Sequence, residues 1–120
     1  MHILGYVPDE MMAPYYRHAQ LFVLPSLFEP FGMTTQEAMA CGTPVVASKY
    51  GGIRNFIRNR VDGMLVDPSD AEEFAGVLVE ILEKDELRKT LGKEGYDTVQ
   101  REFSWEAIAE KFMKFYQDYL

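Results

Sequence analysis

The chain predicts an α/β domain on a short parallel sheet, continued by a wholly helical tail. Three observations carry this. Short apolar runs alternate with helix signals as far as Pro68, every signal after Pro68 is helical, and the 120 residues suffice for one domain with a modest core. Residues 1–68 are therefore expected to hold the alternating strands and helices, and residues 69–120 the tail.

Taken in order, Met1-His2-Ile3-Leu4-Gly5 reads as one short strand, and a first helix begins near Asp9 and carries Tyr15 to Gln20. Leu21-Phe22-Val23-Leu24, closed by Pro25, is a continuous apolar run and reads as a strand buried on both faces. A helix is expected from Thr34, capped by that threonine, propagating through Ala38-Met39-Ala40-Cys41 and stopped by Gly42 and Pro44. Val45 to Ser48 makes a second full strand, Ile53 to Asn59 a short helix, and Met64 to Val66 a brief strand.

In the tail, Asp70 with Glu73 forms a capping pattern for a helix whose Phe74, Leu78, Ile81 and Leu82 share one face. A further helix runs from about Asp85 to Arg101, and Ser104 caps the last one. Trp105, Ile108, Ala109, Phe112, Tyr116 and Tyr119 recur at helical spacing on that final helix, a broad aromatic stripe that must bury against something. Packing on the same domain is one outcome, and self-association into a homodimer through the final helix is the other.

The most informative stretch holds two glutamates, Glu29 and Glu37, on either side of Pro30-Phe31-Gly32-Met33-Thr34-Thr35-Gln36, at the mouth of the second helix. A helix amino terminus presents unpaired N–H donors and partial positive charge, a natural seat for an anion, and Gly32 lets a ligand approach the backbone. Carboxylates accept hydrogen bonds from hydroxyls, so a glutamate on each side of such a cradle suits a ligand that joins sugar hydroxyls to phosphate. Two plainer readings stand beside this one. Glu37 can close a capping box on the Thr34 N–H, and Glu29 can be a surface charge, although its apolar neighbours Phe28, Pro30 and Phe31 favour a partnered site.

The segment from Leu24-Pro25-Ser26-Leu27-Phe28-Glu29 through Thr43-Pro44-Val45-Val46-Ala47, then Gly51-Gly52 and Gly63-Met64-Leu65-Val66-Asp67-Pro68, resembles the donor-binding half of a retaining GT-B glycosyltransferase. The similarity runs through nearly the whole chain and is nearest to the group that contains sucrose-phosphate and glycogen synthases. It implies a Rossmann-like parallel sheet, part of a GT-B carboxyl-terminal domain, and a hexosyltransferase that uses a nucleotide sugar. Residue by residue, Glu29 matches the glutamate that contacts the donor hexose at the catalytic centre. Phe31, Gly32 and Met33 match the backbone that meets sugar hydroxyls, Thr34 and Thr35 the donors at the diphosphate, and Glu37 the glutamate that holds the ribose. Tyr6 and Val7, in Gly5-Tyr6-Val7-Pro8, match the turn beside the nucleobase. One departure is Asn55, where relatives often carry a glutamate three residues after the Gly-Gly pair.

The resemblance further implies that the nucleotide sugar is a substrate, that no metal or other cofactor is required, and that an amino-terminal domain supplies the acceptor pocket, while cations upstream of this segment neutralise the diphosphate. The chain thus reads as a fragment that transfers negligibly alone. His2 and His18 lack neighbours at metal-ligand spacing. No Gly-x-Gly-x-x-Gly turn follows a strand, which argues against a dinucleotide fold.

Charge separates the halves: residues 1–60 hold five Lys or Arg against four Asp or Glu, residues 61–120 seven against fifteen, giving a net −7. An acidic second half excludes broad binding to a phosphate backbone, so nucleic acid is not expected as a partner. No apolar stretch approaches the roughly 20 residues of a membrane span and the start lacks a signal pattern, so a cytoplasmic location is expected. Arg54, Arg58 and Arg60 balance phosphate charge or lie solvated on a helix face. Cys41, the single cysteine, reads as a small buried core residue rather than a reactive thiol.

Overall fold

A computed structural model describes residues 1–120. Its elements are α1 (Asp9–His18), β1 (Phe22–Leu24), α2 (Met33–Ala40), β2 (Val45–Ser48), a 3-10 turn (Gly52–Asn55), β3 (Met64–Val66), α3 (Ala71–Glu83), α4 (Asp85–Phe103) and α5 (Trp105–Tyr119). The three strands form one parallel sheet in the order β1-β2-β3, with Phe22 opposite Val45 and Val46 opposite Met64.

The central strand β2 is buried at all four positions; of the two edge strands, β3 is mostly buried and β1 is half-buried throughout. The continuous apolar run before Pro25 is thus an edge strand, not one covered on both faces. Side chains alternate across the sheet. Val45 and Ala47 join Tyr16, Ala38, Met39, Ile53, Ile57 and Val99 on one side. Val46 joins Met64, Val66, Ile81 and Leu91 on the other. α4 contributes to both clusters, Leu91 to the second and Val99 to the first, and so ties the two faces together.

Two expected elements differ. Residues 1–5 form no strand, because an extended segment becomes one only by pairing, and Met1 and Ile3 are exposed instead. The helix expected over Ile53 to Asn59 is a single 3-10 turn. Helix continuation would send the Arg58 amide to Arg54, but the Asp62 carboxylate takes it at 2.7 Å and bends the chain toward β3. Asp62 is fully buried, and its other oxygen accepts from Arg58 Nε at 2.7 Å and Thr98 Oγ1 at 2.9 Å, which fastens this turn to α4. Arg60 likewise pairs with Glu80 at 2.7 Å, so two of the three arginines in this segment serve structure.

The caps of the tail follow the sequence. Asp70 accepts from the Glu73 amide at 2.9 Å and Ser104 from the Ala107 amide at 3.1 Å. α5 nevertheless buries no residue: Trp105, Phe112, Tyr116 and Tyr119 are all exposed, so the aromatic stripe finds no cover within its own domain. No helix is long and apolar enough to cross a membrane.

The loop beyond β1 returns to the sheet at one place. Glu29 bridges Gly51 in parallel fashion, and the Gly52 amide donates to the Glu29 carbonyl at 2.9 Å. The two backbones touch so closely that a Cβ on Gly51 would stand 2.1 Å from the Glu29 carbonyl oxygen, and one on Gly52 1.9 Å from that of Pro30. Only paired glycines permit that approach.

Three outcomes follow for stability. Gly52→Ala is expected to lower stability by roughly 2 kcal/mol or more, since backbone must move, whereas Gly76→Ala, in open space on α3, is expected to raise it by about 0.5–1 kcal/mol. Asp62→Ala, which strands Thr98 and the Arg58 amide, is expected to cost about 2–3 kcal/mol. Urea denaturation of the three variants measures all of these.

Candidate functional site

The carboxyl ends of β1 and β2 lie at the same edge of the sheet, where open parallel sheets hold their ligands, and the Glu29 loop crosses that edge. Held by its carbonyl to Gly52, Glu29 turns its side chain back so that Oε1 accepts from the Gly32 amide at 2.9 Å. Gly32 has φ 77° and ψ 48°, the left-handed conformation, and serves as N-cap of α2. A side chain there would also strike Ile53, whose Cδ1 lies 2.8 Å from the ideal Cβ position.

Because Gly32 caps the helix, α2 starts at Met33 and Thr34 falls in its first turn. No side chain caps it, and its first turn has no acidic residue. The Gly32 carbonyl accepts from the amides of Thr35 and Gln36 at 3.0 and 3.1 Å, but the amides of Met33 and Thr34 have no partner, and both residues are exposed. These are two adjacent orphan donors at the positive end of a helix dipole. Their chemistry suits an anion.

The early start also moves Glu37 to the fifth helical position, beyond the reach of a capping box. The expected return to the Thr34 amide is absent. Instead Glu37 Oε2 accepts from the Tyr16 hydroxyl on α1 at 3.0 Å. Tyr16 is buried, and that burial, followed by the adjacent Glu37 carboxylate, pushes its phenol up to about 12. Glu37 takes part in no ion pair, since its one protein partner is a neutral hydroxyl.

Between α1 and α2 runs a groove of about 440 Å³, walled by Val7, Met12, Ala13, Ala40 and Cys41, with Asp9, Tyr16 and Glu37 as its polar groups. Of the candidate residues, Glu37 and Val7 line it. Glu29 does not, and its carboxyl group sits at the helix amino end, about 7–8 Å of helical rise from the level of Glu37. Phe31 and Met33 flank that end and are exposed, the Phe31 ring standing 6.1 Å from Phe56. Thr35 is fully buried and its hydroxyl lacks a partner, while Tyr6 points away from cover at 87% exposure.

Cys41 is partly buried, packed against the first core cluster and at the same time a wall of the groove. Tyr16 escaped the sequence reading, although a phenol at an inward helical position must find a partner, and that rule could have flagged it. Lys49, which precedes the Gly51-Gly52 pair, is neutralised by Asp67 at 3.2 Å. Hydrogen bonds from Ser69 and then Tyr50 hold the Asp67 carboxyl well below the usual carboxylate range.

Comparison with known proteins gives a consistent result. The family described as Glycosyl transferases group 1 matches residues 1–98. Mannosylfructose-phosphate synthase of Agrobacterium fabrum is 38% identical over 109 residues, 91% of this chain and 24% of its own length. D-inositol 3-phosphate glycosyltransferase of Thermobifida fusca is 35% identical over 113 residues, 94% of this chain and 26% of its own. Among solved structures, sucrose-phosphate synthase from Thermosynechococcus elongatus superposes with a TM-score of 0.86 at 43% identity, covering 96% of this chain and 29% of that one. Anabaena HepE in complex with UDP-glucose gives a TM-score of 0.82 at 28% identity, covering 96% and 31%. The chain spans about a quarter of the length of the curated relatives named here. With a parallel three-stranded sheet that matches the Rossmann-like carboxyl-terminal domain of a GT-B fold, this chain belongs to the group 1 glycosyltransferase family.

Proposed function

We propose that the chain is the donor-binding half of a retaining hexosyltransferase, which takes a nucleotide sugar as substrate and transfers its hexose to a sugar or sugar-phosphate acceptor. The carrying observation is the pair of unpartnered amides at Met33 and Thr34, with a carboxylate on the level above and another on the level below. In this reading the diphosphate lies against those amides and Thr34, above the buried Thr35. The hexose meets Glu29 and the Phe31-Gly32-Met33 backbone, and the ribose bonds Glu37. Its nucleobase enters the groove beside Val7, with Tyr6 at the rim.

The chemistry follows from charge. Negative charge accumulates on the departing nucleoside diphosphate, and the α2 amino end stabilises it. Glu29 and Glu37 accept hydroxyl protons in hydrogen bonds and orient the donor, acting neither as nucleophile nor as base. No metal or other cofactor has a part in this reading. Support for a UDP sugar comes from HepE, solved in complex with UDP-glucose and with UDP. The names of the relatives, which contain a phosphosugar or inositol phosphate, support a phosphorylated acceptor.

Lys49 is occupied by Asp67, and Arg54 is the one arginine of its segment left without an ion pair, so the cations expected at the diphosphate are mostly to be supplied from outside this chain. Lacking such charge costs several kcal/mol at the transition state, and the chain by itself is accordingly slow in transfer. Its complement is the pair of cations upstream of this segment, together with a second domain that carries the acceptor pocket. The bare aromatic face of α5 fits self-association of the isolated chain into a homodimer.

Titration with UDP, UDP-glucose and GDP-mannose tests the site. At a ligand concentration of 100 times Kd, binding is expected to add about 2.7 kcal/mol of stability, read by thermal denaturation. Glu37→Gln is expected to weaken nucleotide binding roughly five- to tenfold. Silence with all three nucleotides favours the alternative, a non-catalytic α/β folding or assembly unit. Light scattering is expected to show a dimer that Phe112→Glu with Tyr116→Glu converts to monomer, and a wild-type monomer at high concentration contradicts the association.

A further inference from the structure

We propose that Tyr16 is the positioning residue for Glu37, its hydroxyl holding one carboxylate oxygen so that the other meets ribose hydroxyls in a fixed direction and selects ribonucleotides over deoxyribonucleotides. This rests on the reading of Glu37 as the ribose acceptor, and it adds a residue that the sequence motif does not contain.

An exposed glutamate ordinarily samples several rotamers, and ordering it on binding is costly. Here the Tyr16 hydroxyl donates to Glu37 Oε2 at 3.0 Å and leaves Oε1 without a protein partner. Tyr16 is itself clamped at three points. Its ring meets Phe22 of β1 edge-on at 5.5 Å, its side chain is 7% exposed, and its carbonyl accepts from Thr43 Oγ1 at 2.6 Å. The hydroxyl is therefore a fixed point set by α1, β1 and the turn after α2.

The kind of partner matters as much as the geometry. A lysine or arginine in the same place would pair with the whole carboxylate and compete with a ligand for both oxygens. A neutral phenol takes one acceptor site and leaves the charge available to a hydroxyl donor. Both residues line the same groove, so the carboxylate and the phenol that holds it border the space that a nucleoside would fill.

The test measures Kd of the 120-residue chain for UDP and for 2′,3′-dideoxy-UDP, using wild type, Tyr16→Phe, Glu37→Gln and the double variant. Tyr16→Phe is expected to weaken UDP roughly three- to tenfold and to leave the dideoxy nucleotide within about twofold, with the double variant no weaker than Glu37→Gln alone. Unchanged binding of the dideoxy nucleotide also reports that the groove is intact. Equal weakening of both nucleotides, or unchanged UDP affinity, overturns the positioning role. If Glu37→Gln leaves the ribose preference intact, or if wild type binds neither nucleotide, the ribose reading itself fails and the inference falls with it.

Discussion

A single backbone contact organises this molecule: the parallel bridge from Glu29 to Gly51, with the Gly52 amide on the Glu29 carbonyl and no room for a Cβ on either glycine. Without it the loop after β1 would have no fixed path over the sheet edge. With it, Glu29 is anchored through its main chain, and its side chain is free to take the Gly32 amide. Gly32 then enters α2 in a left-handed turn, and the helix begins at Met33. One close approach thus determines which amides of α2 are satisfied by protein and which are left without a partner.

The same local geometry decides the surroundings of Glu37. Starting α2 two residues after Phe31 rotates the fifth helical side chain toward α1, where Tyr16 meets it. The site is divided between two levels. An anion-seeking helix end lies under the Glu29 loop, and a largely apolar groove runs along α1, with one carboxylate and one phenol at its side. That combination is chemically suited to a molecule with a charged middle, hydroxyl-rich parts and a flat apolar end.

Much of this was legible in the residues. Val45 to Ser48 and Met64 to Val66 carry enough apolar, β-branched character to mark strands at their true bounds, and Asp70 and Ser104 cap as their spacing predicts. Long-range effects were not legible. Pairing decides whether Met1 to Gly5 is a strand, the elements packed on each face decide how far β1 is buried, and Asp62 overrides helix propensity after Asn55 from seven residues away. Near the two glutamates, the sequence placed the helix cap at Thr34, whereas Gly32 takes that position. The left-handed start at Gly32 goes with its amide on the Glu29 carboxylate, and Ile53 leaves no room there for a Cβ. Tyr16 was hidden for the same reason, since its significance appears only when α1 and α2 stand side by side.

The central claim is that the free amides of Met33 and Thr34 receive the diphosphate of a nucleotide. Amide nuclear magnetic resonance of the labelled chain addresses it directly, with UDP compared against uridine. The account predicts that the Met33 and Thr34 resonances shift most with UDP and stay in place with uridine, while signals from Val7 and Cys41 respond to both. Largest shifts elsewhere, or identical shifts at Met33 and Thr34 with the two ligands, would contradict it.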